Sequence, residues 1–552
     1  MQRPGAFSAR RQRGPALLLL LALFAGACGS TAYRDRVEAQ AAGVDGDVAL
    51  PAFPSGDHST SPATPEPVAV GTDAPTPGAT GTEGPSATAA PTTAPGATPA
   101  PGQPSAAPSP TAQPSPGAPT TQPTTPPTTT GLPQAAENGR GATDDTVRVG
   151  VISLTSFQNM GANLGFSVAD KGDVAGQIQT LADWINANGG IAGRDLVPIQ
   201  RIYTQEEASP GAEAQMCNAF ADDDDVWGVM LYGQIHESTR YCYSSKGILM
   251  LDPTPFVYDE TLYTENAPYL WSVAFPNYTK VMRTLPHALA ETDYFDPLPS
   301  RDETDVAVGV LHWDTPSAKR VLQRDLGPAL DAVGHPIASS YGVDGSSVAT
   351  IQNGLSNAIT AFRQAGVNRV FFIGGSPLAP FFYSTAESDG FRPRYAVTSL
   401  DQPRHTASDR GTPPQMVDAV GIGFNVDVDV EDEDMPVGAI PNEELCLDVL
   451  AAGGHTFERR ENSNYALAVC STFMLLKQGA ETITGGLTAP VWSAHAEQIG
   501  TSFHPSLWFD AEFGPGNHDG TETYLPMRHF TDCDTTSGGC FHYTSSDRQR
   551  FR

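Results

Sequence analysis

Positive charge is scarce in this chain: 32 lysines and arginines stand against 62 aspartates and glutamates, a formal net charge of −30 at pH 7. Four of the arginines (Arg3, Arg10, Arg11, Arg13) crowd the N-terminus, so 28 basic groups face the same 62 acids in the remainder, a net charge of −34. Such a balance argues against nucleic-acid binding and against direct docking on anionic lipid. Cysteine is also sparse, with seven residues and no Cys-x₂-Cys pair, which removes the common structural zinc patterns. No GxxxxGK[ST] phosphate loop occurs. Two fragments begin like catalytic motifs and fail. His236-Glu237 starts a metalloprotease helix, but Arg240 stands where the second histidine belongs, and Gly374-Gly375-Ser376 starts a nucleophile elbow whose closing glycine is Leu378. The chain is therefore expected not to be an enzyme and to need no cofactor or metal.

Long apolar runs are missing except for one, ALLLLLALFAGA, which follows the N-terminal arginines and ends at Cys28. A basic region, a short apolar region and small residues form an export signal, too short for a comfortable membrane span. The tetrapeptide AGAC (25–28) resembles the lipobox of bacterial lipoproteins, which implies a signal peptide over 1–27 and lipidation of Cys28. From about residue 55 to 133 the chain is almost wholly Thr, Pro, Ala, Gly and Ser. It lacks the apolar residues needed to offset chain entropy, so 28–142 reads as a lipidated N-terminus and a semi-extended tether that carries a globule away from the membrane. The expected location is the extracytoplasmic face of the cell membrane.

The folded part is expected over 143–552. Six cysteines remain after Cys28, an even number suited to an oxidising compartment. Fifteen pairings are possible, and sequence locality favours Cys217 with Cys242, Cys446 with Cys470, and Cys533 with Cys540. TVRVGVISL (146–154) reads as a strand. Val174, Ile178, Leu181 and Ile185 recur on one helix face, Gly189 and Gly190 stop that helix, and LVPIQ returns as a strand: a βαβ unit. VWGVMLY (226–232) and ILML (248–251) continue the series, WSVAFPN (271–277) reads as a crossing, and a second series follows. It comprises VAVGVLHW (306–313), a helix to about Val333, ASSYGV, a helix with Ile351, Leu355, Ile359 and Phe362, then RVFFIGG and YAVTS. Two consecutive doubly wound lobes imply a cleft. In DVDVEDED (427–434) the alternation of Val426, Val428 and Val430 with Asp427, Asp429 and Glu431 predicts a half-buried strand with an acidic solvent face in preference to a calcium loop.

RVGVISLT, DWINANGGIAGRDLVPI, DDDDVWGVMLYG and GFRPRYAVTS together resemble the type I periplasmic binding proteins, specifically the leucine and branched-chain amino-acid substrate-binding family of ABC transporters. The resemblance implies an α/β fold of two lobes joined by three crossing strands: lobe one at about 143–277 and 441–505, lobe two at about 278–440 and 506–552. The spacing from Cys217 to Cys242 also resembles a lobe-one disulfide of that family. A small polar, amino-acid-like ligand would sit between the lobes and be passed to a membrane permease; a receptor or sensor of the same fold is the alternative. Open parallel sheets bind ligands beyond the C-terminal ends of their strands. Those loops are LTSFQN (154–159), YGQIHEST (232–239), DPTPF (252–256), HWDTP (312–316), GGSPLAP (374–380) and SLDQP (399–403). Carried over by segment, His236, Ser238 and Thr254 face the cleft from lobe one, and Trp313, Ser376 and Asp401 from lobe two. Asp401 is the expected partner for a ligand ammonium group.

Overall fold

The helix predicted from Val174, Ile178, Leu181 and Ile185 runs over Val174–Ala187, capped by the Asp173 carboxylate on the Gly176 N–H at 3.0 Å, and it buries Ile178, Leu181 and Ile185. Gly189 and Gly190 follow at φ +98° and +64°. A Cβ at Gly190 would lie 2.1 Å from the Arg194 carbonyl oxygen, so only glycine fits this stop. A computed structural model describes residues 131–154, 170–204, 209–254, 256–273, 275–408, 411–436, 440, 442–533 and 538–552, all within one compact unit. The expected leader, Cys28, most of the tether and the LTSFQN loop beyond residue 154 lie outside the described residues.

Five parallel strands build the first sheet: β1 (Thr146–Leu154), β2 (Asp195–Tyr203), β3 (Gly228–Met230), β4 (Leu249–Asp252) and β5 (Leu270–Ser272), in the order β2-β1-β3-β4-β5. Leu249 and Leu251 enter one core cluster with Ile178 and Leu181, whereas Met250 joins Ile152, Val229 and Phe220 on the opposite face. The period of two in the strands thus feeds two helical layers.

The second sheet holds β6 (Val308–Trp313), β7 (Ile337–Val343), β8 (Arg369–Ile373), β9 (Arg394–Thr398) and β10 (Val420–Gly423) in the parallel order β7-β6-β8-β9-β10. Antiparallel β11 (Thr523–Phe530) and β12 (Cys540–Tyr543) extend its edge, and β13 (Gln549–Arg550) pairs with β11. The helix Val348–Gln364 covers this sheet with Ile351, Leu355, Ile359 and Phe362 buried. The chain passes between the sheets after β5, again after residue 430, and a third time before β11, where an isolated parallel bridge joins Ser272 to Asp519. WSVAFPN is therefore only partly a crossing, since Trp271 and Ser272 belong to β5. Disulfides join Cys217 to Cys242, Cys446 to Cys470 and Cys533 to Cys540.

The strand expected at DVDVEDED is absent. Val426–Asp429 is a single helical turn, started by the Asn425 side chain accepting from the Asp427 N–H at 3.2 Å. Asp427 and Asp429 are buried rather than solvated. Alternation failed as a guide here because the interior supplies donors: Asp429 Oδ2 accepts from Ser399 Oγ (3.0 Å), Tyr543 OH (2.8 Å) and Asn425 N (3.1 Å). Carboxylates with such partners can be buried on a short turn.

Candidate functional site

In each sheet the strand order reverses beside its first strand, at β1/β3 and at β6/β8. Loops diverge at such a switch point and leave a crevice at the C-terminal strand ends. The loops after β3, β4, β6, β8 and β9 are described here; the loop after β1 lies outside the described residues.

On lobe one the loop after β3 is organised by a buried carboxylate. Glu213, on the helix Pro210–Asn218, accepts from Ile235 N (2.8 Å), His236 N (3.1 Å) and Tyr203 OH (3.0 Å), contacts His236 Nδ1 at 2.9 Å, and takes the Thr239 hydroxyl. Burial pushes the Glu213 carboxyl upward, but the His236 hydrogen bond and the Arg240 charge outweigh it and hold it below its ordinary range. His236 is therefore half-buried at the N-cap position of the helix Glu237–Ser245, with one ring nitrogen committed to Glu213. Ser238 is exposed in the first turn of that helix. Thr254 is buried; its N–H donates to Asp252 Oδ1 at 2.9 Å and its hydroxyl contacts the same oxygen. Its polar atoms thus serve the loop after β4.

On lobe two Trp313 is buried between two strand-end loops. Its indole Nε1 donates to the Gly374 carbonyl at 3.2 Å, and a Cβ at Gly374 would meet the ring at 3.1 Å. The loops after β6 and β8 therefore pack through one aromatic plane and one glycine. Gly375 has φ +51°, and a Cβ there would lie 2.8 Å from the Leu400 carbonyl oxygen, so the loop after β9 closes on the same point. Ser376 is half-buried at a kink with φ −72° and ψ 129°, at the start of the helix Gly375–Ser388. Trp313, Ser376 and the Leu400-Asp401 turn are thus brought together, while His236 and Thr254 share the Glu213, Arg240 and Asp252 network across the cleft.

Asp401 has a different office from the one expected of it. It is the third residue of a capping box, and its Oδ2 accepts from Thr398 N (2.8 Å) and Thr398 Oγ1 (2.9 Å). Burial pushes its carboxyl up to about 7 against those two bonds. A carboxyl enclosed and partly protonated near neutral pH is a poor counter-ion for an ammonium group, and its geometry makes it a positioning group for the loop after β9. Sequence reasoning missed Glu213, Arg240, Glu237, Asp259, Ser317 and Arg320. The Thr315-Pro316 pair did carry a local signal, a threonine N-cap followed by proline at the first helical position.

Asp429 joins the loops after β9 and β10 to β12, and burial pushes it up to about 7 as well. Its folded pKa stands above the unfolded carboxyl's ordinary value of about 3.9. The stability it contributes is therefore fully present below that value and is lost as pH rises through about 7. Asp429→Asn keeps the shape without the ionisation. At pH 8 the variant is expected to be more stable than wild type by up to about 4 kcal/mol, the difference shrinking to about 1.5 kcal/mol at pH 5 and vanishing only below about pH 4. Thermal melts across that range check this, and equal pH slopes in the two proteins would refute it.

No family model matches this sequence, and no curated protein sequence matches it. Solved structures do. A solute-binding protein of an ABC transporter from R. palustris, determined with 4-hydroxybenzoate, superposes with a TM-score of 0.51 at 12% identity, covering 74% of this chain and 98% of that one. An ABC transporter substrate-binding protein from Desulfitobacterium hafniense, determined with Leu, gives a TM-score of 0.46 at 16% identity over 72% of this chain and 100% of that one. Two switch-point sheets facing one another, three passages between them and the superposition on the R. palustris protein agree: the chain has the type I periplasmic-binding-protein fold.

Proposed function

We propose that this chain is a non-catalytic extracytoplasmic solute-binding protein, held to the membrane by a lipid on Cys28, that captures a small polar solute between its lobes and presents it to the permease of an ABC importer. The observation that supports this reading is the approach of two sets of strand-end loops, each fixed from behind by buried polar groups, with Glu237 after β3 reaching Ser317 N after β6 at 2.9 Å. His236, Ser238, Trp313 and Ser376 supply contacts; Thr254 and Asp401 support the loops that carry them. Trp313, 8% exposed, keeps a small apolar surface beside the loops after β6 and β8, so the solute class includes molecules with an apolar part, such as apolar amino acids and small aromatic acids. Ligand favours closure only through contacts with both lobes. A receptor without a transport role shares this chemistry and differs in its partner.

The test is native mass spectrometry of the full chain purified from membranes, followed by thermal shift against a panel of amino acids and hydroxybenzoic acids. The expected result is a diacylated Cys28 at the mature N-terminus, one released small molecule per chain, and stabilisation by about 2.7 kcal/mol at a hundredfold excess over the dissociation constant. Trp313→Ala should weaken that binding about tenfold or more through lost contact area. A chain that carries nothing, is stabilised by no member of the panel, or turns a bound molecule over would overturn the proposal.

A further inference from the structure

Lobe one reaches across the cleft and grips the first turn of a lobe-two helix. That helix, Pro316–Val321, begins with proline, so its first backbone donor is Ser317. The Ser317 N–H donates to Glu237 Oε1 at 2.9 Å, and Glu237 belongs to the helix that follows β3 on the other lobe. Ser317 Oγ donates to Asp259 Oδ1 at 3.1 Å and accepts from Arg320 Nη2 at 2.8 Å. Arg320 also meets both Asp259 oxygens, through Nε at 2.5 Å and Nη2 at 3.0 Å. Asp259 and Ser317 are buried, and Asp259 simultaneously caps the helix Glu260–Glu265 on lobe one through Leu262 N at 3.0 Å. Beside this grip Ile235 of lobe one lies 3.9 Å from the Cβ position of Gly345 on lobe two.

We infer that Glu237 and Asp259 form a clasp that holds the cleft closed without any ligand, so that opening the clasp sets how fast a captured solute enters and leaves. The inference rests on the reading of the cleft as a hinged solute site. Rotation of one lobe must part the Glu237–Ser317, Asp259–Ser317 and Asp259–Arg320 contacts, because each joins the two lobes; the Arg320–Ser317 and Asp259–Leu262 contacts lie within one lobe and survive it. In the open state Glu237, Asp259 and Arg320 regain water, so the clasp contributes only the difference between paired and hydrated groups. A bidentate arginine–carboxylate pair with one further charge-assisted bond makes that difference a modest one, of the order that tunes an equilibrium and an off-rate without freezing either. The proteins's own carboxylate also occupies the Ser317 N–H, so a solute bearing a carboxylate competes with Glu237 for that donor when it enters.

The experiment is electron–electron distance measurement on the full chain, with spin labels on non-natural residues at Asp183 and Ser356. Both positions are exposed and lie on helices flanking different sheets. Without ligand, wild type should show one dominant short distance. Arg320→Gln and Glu237→Gln should each add a longer population, with the closed-to-open ratio falling about tenfold for Arg320→Gln. Asp259→Asn retains a side chain able to cap the helix and should behave as Arg320→Gln does. Unchanged melting midpoints outside the few degrees of a lost ion pair certify the fold. A dominant long distance in ligand-free wild type, or identical distributions in all variants, would overturn the clasp. Neither result depends on finding a solute, so the clasp can fail while the mass spectrum still supports solute capture, and the reverse.

Discussion

Arg240→Met is expected to cost about 3–5 kcal/mol of stability, the scale of leaving one partner of a buried ion pair alone. Arg240 is fully buried; its Nη2 donates to Asp252 Oδ2 at 3.0 Å and to the Gln234 carbonyl at 2.6 Å, and its Nη1 donates to the His236 carbonyl at 3.1 Å. The guanidinium also lies 4.9 Å from the centre of the Tyr258 ring. One planar group thus joins the loop after β3 to the loop after β4. Methionine fills most of the volume, so the loss isolates charge and hydrogen bonding from packing. Asp252, fully buried, would keep only the hydroxyls of Thr254 and Tyr258 and the Thr254 N–H. Arg240→Lys should fall between, since a single ammonium cannot reach three acceptors in a fork. Urea unfolding followed by tryptophan fluorescence at pH 7 measures both. A loss under about 1 kcal/mol for Arg240→Met would show that the pair is balanced by its own desolvation, as many buried pairs are. Because the same fork holds His236, solute affinity should fall along with stability.

How far the sequence reveals this molecule depends on whether the determining interaction is local. β1 was legible because Val147, Val149 and Val151 enter one core cluster while Ile152 enters the other. The helix Val348–Gln364 was legible because Ile351, Leu355, Ile359 and Phe362 repeat on one face over about three turns, and the glycine stop at 189–190 because a positive φ has few occupants. β5 is three residues long and shows no period, so Trp271 and Ser272 merged with the crossing that follows. The turn at Val426–Asp429 defeated alternation because the Asp429 carboxylate finds Ser399 and Tyr543, which stand 30 and 114 positions away. The rule that ligands gather beyond parallel strand ends pointed to the loops after β3, β4, β6, β8 and β9. It could not separate a loop's contact residues from its props: Thr254 and Asp401 look like ligand groups in sequence and turn inward in space. Nor could it find Asp259 with Arg320, 61 positions apart, because a long-range ion pair leaves no local trace.

Lys280→Met should be nearly as costly as the loss of Arg240, about 3–5 kcal/mol at pH 8, and it should strike the hinge instead of the loops. Lys280 lies in the first turn after the first passage between the sheets, and its ammonium donates to Asn517 Oδ1 (2.9 Å), Asp519 Oδ1 (2.8 Å) and Glu522 Oε1, all on the third passage. Asp519 Oδ2 accepts the Asn277 N–H at 2.6 Å, and Asn277 in turn caps the Lys280 helix. Trp271 stacks on His518 at 3.9 Å beside them, so two of the three passages are joined by one ammonium, one carboxylate and one aromatic pair. Burial pushes Asp519 up to about 6 even with Lys280 in place, and without that charge it rises further. A group raised above its unfolded value stabilises most below that value and loses its contribution as pH climbs through the folded pKa. The penalty of Lys280→Met is therefore expected to shrink as pH falls from 8 to 5, where Asp519 takes a proton and the vacant ammonium is no longer missed. Urea unfolding at the two pH values measures the difference. A penalty of the same size at both would mean that the lysine's stem, and not its charge, fastens the passages together.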